Sequence, residues 1–438
     1  MQDTGEGTVT MHTGTARPIR VLAVDDSAVM RGVLRTLFQT HGQKHSSDLP
    51  AMELCAVVED GVECLAAVIR LRPDVVVLDL EMPRMHGLDV LERLRLEEPG
   101  LPVIMCSAYT QRGARSTLDA LAMGAADYVM KPSEQSDPAT AMKTLASQLL
   151  PKIAALAGAG FEMLSGVRGK TTRQEIAESK LSQSLTAAEH STAGGSGGAK
   201  VEIVVIGVST GGPTALEAVL PKLAEDFPVP VMIVQHMPKL FTGELAERLD
   251  RCCALHVREA HDGAEVRPGT IWLAPGDAHM EVAEAVNGAA TAGGNGRVQR
   301  VVAQLHQRQS LNHCKPSVDY LFNSAAKLYG SGTLALVMTG MGSDGLAGAR
   351  YVHEAGGVVL TQDAATSAVW GMPGRVFEAG LSREPLPLTA LAGELTLRVN
   401  AGRSGRVARG SSAMNALAQS RNGNDVSAPQ VEVVHGLL

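Results

Sequence analysis

Short apolar runs alternate with amphipathic stretches along the chain, and the series occurs twice. Ile19–Val24 is an apolar run of strand length, and Ser27–Phe38 carries helical spacing. Val75–Leu80 predicts a second buried strand, Val103–Cys106 a third and Asp127–Met130 a fourth, with Leu88–Leu96 and Leu118–Met123 as helices. Strands alternating with helices imply a parallel sheet with crossover helices. A further helical stretch covers residues 139–156. The second series has strands at Val201–Val208, Val229–Val234, Thr270–Ala274, Thr333–Met338 and Val358–Thr361. Its helices fall at Pro213–Leu223, Thr242–Leu249, Pro316–Leu328 and Leu346–Ala355. Pro213 suits a first helical turn, and Ser317 suits a cap.

Polar segments separate these units. Residues 1–17 are Gly/Thr-rich, and Gly42–Ala51 reads as an exposed loop. The stretch from Gly166 to Lys200 is rich in Ser, Thr, Ala and charge and ends in AGGSGGAK, which is linker composition. Gly293–Gly296 reads as a loose hairpin or insertion inside a Gly-rich stretch, Gly288–Gly296. From about Arg403 the chain is polar again. The expected division is a disordered tail (1–17), one α/β domain (18–135), a helical segment and linker (136–200), a second α/β domain (201–398) and a disordered tail (399–438).

Composition narrows the function. The 438 residues carry a formal net charge of −7, with no Lys/Arg cluster of the kind a phosphate backbone requires. Aromatic residues make up 3%, too few for a base-stacking platform. Both facts argue against a nucleic-acid-binding function. None of the six cysteines forms a CxxC pair, and Cys252 and Cys253 are adjacent, so reduced, mostly buried thiols are expected. The N-terminus lacks the regions of a signal peptide, and no apolar run is long enough to span a bilayer. A cytoplasmic protein without membrane insertion is expected.

Two constellations carry chemistry. Asp25 and Asp26 follow the first strand, Asp79 lies near the end of the second, Ser107 follows the third and Lys131 the fourth. All five sit at carboxyl ends of parallel strands, where open α/β sheets bind ligands. Clustered carboxylates call for a cation, and Mg²⁺ takes one or two carboxylates plus phosphate oxygens. Asp79 can then act as a phosphoryl acceptor, with Lys131 and Ser107 on the phosphoryl oxygens. The motifs VDDS, VVVLDLEMPRMHGLDVLERL and MKPS, with Ser107 between them, make residues 18–135 resemble a response-regulator receiver domain. The resemblance implies phosphorylation of Asp79 by a histidine kinase. It also implies Mg²⁺ held by Asp26, Asp79 and the backbone of Glu81, with Asp25 in support, and an aromatic switch at Tyr128. His86 departs from the family pattern, where an aspartate is common.

The second constellation begins at Gly207-Val208-Ser209-Thr210-Gly211, which follows a buried strand and opens a helix as a nucleophile elbow does. A serine needs a base, and His236 ends the next strand. Asp344, in a glycine-rich turn after Thr333–Met338, is a candidate orienting acid. A dinucleotide site competes, since such a turn also suits pyrophosphate. That reading predicts an acid at the second strand's end, where Gln235-His236 stand instead. His256 and His261 lie in a charged stretch and read as surface groups, whereas His279 and His313 could line the site. The pieces IGVSTGGP, VQHMP, LAPGDAHM, KPSVDYLF, MTGMGSDG and TQDAATSAVWGMPG occur in that order. They make residues 201–398 resemble the catalytic domain of CheB-type chemotaxis protein-glutamate methylesterases. The resemblance implies catalytic Ser209, His236 and Asp344, and oxyanion donors at the amides of Thr210 and Met341. It implies no cofactor for the esterase step. The implied substrates are methylated cytoplasmic helices of chemoreceptors, with deamidation of receptor glutamines in many members, and the implied partner is a chemotaxis-type histidine kinase. The implied fold is two doubly wound parallel-sheet domains, a flavodoxin-like receiver and a Rossmann-like hydrolase, on a flexible linker.

Overall fold

A computed structural model describes residues 17–41, 49–132, 137–166, 200–285, 300–401 and 403, with side chains of the 137–166 segment described as far as 157. The expected tail at 1–16, most of the loop at 42–51, the linker at 167–199, the Gly-rich stretch at 286–299 and the chain after 403 lie outside the described residues.

The first sheet contains β1 (Ile19–Val24), β2 (Met52–Val58), β3 (Val75–Asp79), β4 (Val103–Ser107) and β5 (Asp127–Met130) in the order β2-β1-β3-β4-β5. All its pairings are parallel. The crossover helices are α1 (Ala28–His41), α2 (Gly61–Leu71), α3 (Gly87–Glu97) and α4 (Gln111–Ala122), and α5 (Pro138–Gly166) follows β5. Every residue of β3 and β4 is buried, as expected of strands covered on both faces.

The sequence pattern missed β2 and α2. β2 is an edge strand, half-buried along most of its length, so MELCAVV lacks a continuous apolar run. The helix start is marked by Asp60, whose Oδ1 accepts from the amides of Val62 (2.8 Å) and Glu63 (2.9 Å).

The second sheet contains β6 (Ile203–Val208), β7 (Val231–Gln235), β8 (His256–Glu259), β10 (Thr270–Leu273), β13 (Thr333–Val337) and β14 (Val358–Thr361). Its order is β14-β13-β6-β7-β10-β8, again parallel throughout. Strand order reverses at β6, so the crevice beyond the carboxyl ends of β6 and β13 is a switch point of the kind that binds ligands. The helices are α6 (Gly212–Val219), α7 (Lys239–Cys252), α8 (Val318–Tyr329), α9 (Leu346–Glu354), α10 (Met372–Glu378) and α11 (Leu388–Asn400). α11 runs two residues into the segment expected to be a tail. Arg403 beyond it donates to the carbonyl of Val201 at 2.8 Å.

A parallel sheet alone does not describe this half. β9 (Ala264–Glu265), β11 (His279–Glu284) and β12 (Val301–His306) form a separate antiparallel sheet against α8. The pairing Glu284↔Val301 joins the two strands that flank residues 286–299.

The two sheets meet through α4 and β5 of the first and α6 and α7 of the second. Tyr128 of β5 stacks on Phe241 of α7 at 4.9 Å, with ring planes 6° apart. Arg115 donates to Glu244 at 2.7 Å, and Arg248 bridges Asp119 of α4 and Glu217 of α6. Thr214 Oγ1 donates to the Leu121 carbonyl at 3.2 Å. No helix of the described residues is long and apolar enough to cross a membrane.

Candidate active site

Ser209, His236 and Asp344 converge beyond the carboxyl ends of β6, β7 and β13. The turn after β6 is made by Gly211, which takes a left-handed φ of 75°, while Ser209 keeps a negative φ. The glycine thus carries the unusual conformation that a nucleophile elbow commonly places on the nucleophile. Gly340 lets the β13 turn close on Ser209, since a Cβ there would lie 2.8 Å from Ser209 Cβ. The amides of Thr210 and Met341 have no hydrogen-bond partner among the described residues, so both are free to face an oxyanion.

Asp344 is the best-held group of the site. Its Oδ2 lies 2.7 Å from His236 Nε2 and accepts from the Val318 amide at 2.7 Å. Its Oδ1 accepts from Ser317 Oγ at 2.8 Å. Asp344 therefore caps α8, and Ser317, expected to be the cap, donates to it instead. Left-handed φ values at Gly342 (88°) and Gly345 (93°) bend the chain to bring the carboxylate there. Asp319 returns the device: its Oδ1 accepts from the amides of Gly345 and Gly348, which open α9. Burial, then the charge of Asp344, pushes the Asp319 carboxyl up to about 6. Burial disfavours charge on His236, but its bond to Asp344 and the neighbouring Cys314 outweigh this and hold its imidazolium well above the usual histidine range. The same bond, with the Val318 and Ser317 donors, holds the buried Asp344 carboxyl below the usual range.

The expected serine–histidine bond is not formed. His236 Nδ1 faces Cys314 Sγ at 3.7 Å, and Ser209 Oγ makes no hydrogen bond among the described residues. Ser209 and His236 do share a cavity of about 20 Å³, room for about one water molecule. The first domain forms its other wall with Leu121, Asp127, Tyr128 and Lys152. Thr210 Oγ1 donates to Asp127 Oδ2 at 2.7 Å, and Lys152 lies 2.9 Å from the same oxygen. Sequence reasoning missed Asp127, Asp319 and Cys314, because each acts through a neighbour distant in sequence. Of the competing histidines, His279 is fully buried against His306 and Tyr320, His256 is exposed, and His313 lines a second cavity with Cys314.

The acidic pocket forms at the other end of the molecule's chemistry. Lys131 Nζ lies 3.0 Å from Asp25 Oδ2 and 2.8 Å from Asp79 Oδ2. Asp25 and Asp79 are buried and Asp26 is exposed, yet each places one oxygen within 4.8 Å of the others, a spacing that fits one hard cation. Glu81 turns its side chain outward, paired with Arg112 at 3.6 Å, and its amide points to Asp79 Oδ1 at 3.4 Å. Ser107 Oγ accepts from Thr117 Oγ1 of α4 at 2.8 Å. Burial, with the charge of Asp25, pushes the Asp79 carboxyl up to about 6 against the pull of Lys131. In Mg²⁺-free protein, the Asp79 carboxyl is expected to titrate near 6 by infrared or NMR measurement, and added Mg²⁺ should move it down. A midpoint near the ordinary ~4 would contradict this account of the pocket.

Two parallel-sheet units, one with an acidic phosphoacceptor-type pocket and one with Ser, His and Asp at its strand ends, define a response regulator joined to a hydrolase-type domain. The family model described as "Response regulator receiver domain" matches residues 21–143, and "CheB methylesterase" matches residues 204–395. A protein-glutamate methylesterase/protein-glutamine glutaminase of Trichodesmium erythraeum is 40% identical over 380 residues, covering 87% of this chain and 99% of that protein. One from Nocardioides sp. is 42% identical over 381 residues, covering 87% and 95%. The crystal structure of the Thermotoga maritima CheB methylesterase catalytic domain is 42% identical with a TM-score of 0.41, covering 45% of this chain and 98% of that one. The chain belongs to the protein-glutamate methylesterase/protein-glutamine glutaminase family.

Proposed function

We propose that this chain is a phosphorylation-activated hydrolase that removes methyl groups from glutamate methyl esters on chemoreceptor cytoplasmic helices and deamidates receptor glutamines. The observation that carries the reading is the 2.7 Å bond between His236 and Asp344, made beside the cavity that Ser209 lines. His236 takes the Ser209 proton, and Oγ attacks the γ-carbonyl. The amides of Thr210 and Met341 receive the oxyanion. The proton returns to the leaving group, methanol from an ester or ammonia from an amide, and water hydrolyses the acyl-enzyme.

The closed arrangement reads as the resting state. The receiver leaves room for about one water where an ester must enter, and its Asp127 ties down Thr210, an oxyanion residue. His236 is turned onto Cys314 and is held as a cation, which cannot act as a base. Asp26 and Asp79, with the Glu81 backbone and Asp25 in support, would hold Mg²⁺, which neutralises phosphoryl oxygens when bound. A phosphoryl group on Asp79 adds roughly −1.5 to −2 charges. Ser107 bonds α4 and Lys131 follows β5, so a phosphoryl group drawing on both pulls the two elements that cover the hydrolase. A chemotaxis-type histidine kinase is the phosphate source in this reading, and the cytoplasm is the place of action.

Methanol release from methylated receptor, with and without a small phosphodonor, tests the whole reading. Stimulation in the parent and none in Asp79→Asn is expected; equal stimulation in both would exclude control through Asp79. Asp127→Ala removes the buried bond to Thr210 and should raise the unstimulated rate about tenfold, as a bond of about 1.4 kcal/mol would. An unchanged unstimulated rate would remove Asp127 from the clamp.

A further inference from the structure

Cys314 occupies a position that the esterase reading does not use. Its Sγ lies 3.7 Å from His236 Nδ1, and the opposite ring nitrogen is fixed on Asp344 at 2.7 Å. A thiol, an imidazole and an orienting carboxylate in series form the arrangement that activates a cysteine. The thiol's direction is also fixed. Asn312 and His313 before it hold left-handed φ values of 52° and 61°, and the Cys314 amide donates to the Leu311 carbonyl at 2.7 Å. Such conformations persist only where the surroundings determine them. Cys314 lines a cavity of about 260 Å³ whose wall also includes His236, His313, Lys315 and Lys152, ample for a small oxidant.

Among the described residues, no other thiol has a histidine ring as a hydrogen-bond partner. Burial pushes the Cys55 and Cys106 thiols up, and those of Cys64 and Cys253 up to about 12. Cys252 is exposed, with its Sγ on the Leu249 carbonyl at 3.3 Å; Cys314 Sγ likewise lies 3.4 Å from the Asn312 carbonyl, so it is the His236 ring beside Cys314 that separates the two.

We propose that Cys314 is a redox-sensitive thiol, oxidised by hydroperoxides to a sulfenic acid that occupies His236 and stops the hydrolase. Sγ attacks the distal peroxide oxygen. The S–O bond forms and the O–O bond breaks. The His236 imidazolium gives its Nδ1 proton to the departing oxygen, which leaves as an alcohol, or as water from hydrogen peroxide, and the neutral imidazole left behind takes up the proton that the sulfur sheds. The sulfur loses two electrons and the peroxide gains them. The sulfenic oxygen then stands against Nδ1, so His236 has partners on both nitrogens and none to spare for Ser209. A thiol reductant reverses the step. The effect on turnover rests on the esterase reading; the reactivity of the thiol does not.

The test has two arms on the full chain. In the first, hydrogen peroxide is followed by dimedone capture and peptide mass analysis, and iodoacetamide alkylation rates are compared in the parent and His236→Gln. Cys314 should be captured before Cys252, and its alkylation should slow about tenfold or more without the imidazole. Faster capture of Cys252, or alkylation unchanged in His236→Gln, overturns the proposal. In the second, methanol release is measured with a small phosphodonor present, before peroxide, after it and after dithiothreitol. The parent should lose about tenfold and recover, while Cys314→Ser stays within about twofold of its own untreated rate. Equal loss in Cys314→Ser overturns the proposal, as does full activity in protein whose Cys314 is captured. If untreated protein releases no methanol, the esterase reading fails, and the first arm alone decides whether Cys314 is the reactive thiol.

Discussion

Ser209→Ala is expected to lower kcat for methyl-ester hydrolysis by about a millionfold, as nucleophile removal does in other serine hydrolases. The loss should fall on kcat, because Oγ acts only when the carbonyl is attacked. The fold should be untouched. Oγ makes no hydrogen bond among the described residues, and the turn is held by the backbone: the Ser209 amide donates to the Thr339 carbonyl at 3.0 Å, and the Ser209 carbonyl accepts from Gln235 Nε2 at 3.0 Å. Thermal stability within about 0.5 kcal/mol of the parent is therefore expected alongside the lost rate, as for a surface change. Methanol release from methylated receptor measures the first and thermal melting the second. Near-normal turnover would remove Ser209 from the chemistry and leave Cys314 as the remaining nucleophile on His236.

The sequence made most of this site legible because the fold is regular there. A doubly wound sheet delivers functional groups to one edge, and Asp79, Ser107, Lys131, Ser209 and His236 each end a buried strand whose apolar run marks it. What was not legible lies where strands are half-exposed or contacts are remote. β2 and β8 are edge strands with polar residues and no continuous run, so MELCAVV and HVRE carried no signal. Ser317 looked like a helix cap because it precedes an apolar periodic stretch. The cap is Asp344, 27 residues away. The pairing of Asp127 with Thr210 spans 83 residues and two sheets, and no local pattern encodes it. The same holds for Cys314. Its thiol meets His236 only because two left-handed residues turn it there.

Asp344→Asn is expected to cost about 10⁴ in kcat and about 1–3 kcal/mol of stability together. Every described partner of this carboxylate is a donor: the His236 ring, Ser317 Oγ, the Val318 amide and, at 3.4 Å, the Asp319 amide and Asn312 Nδ2. An acceptor-only group satisfies that shell, and an amide cannot, because its NH₂ must face one of them. Turned toward His236, it forces the ring proton onto Nδ1 and removes the lone pair that Ser209 needs. Turned toward Ser317, it gives up a contact at the start of α8. The stability cost has a pH signature. The Asp344 carboxyl is depressed, so its contribution is present above about 4 and fades as pH falls toward the folded value of about 2. The His236 imidazolium is raised, so its contribution is complete below about 6.5 and is lost as pH rises through about 10. The stability difference between parent and Asp344→Asn should thus be largest between about pH 4 and 6.5 and shrink on both sides. Urea unfolding across that range measures it. A pH-independent difference would mean that Asp344 serves α8 alone, with His236 oriented by another group.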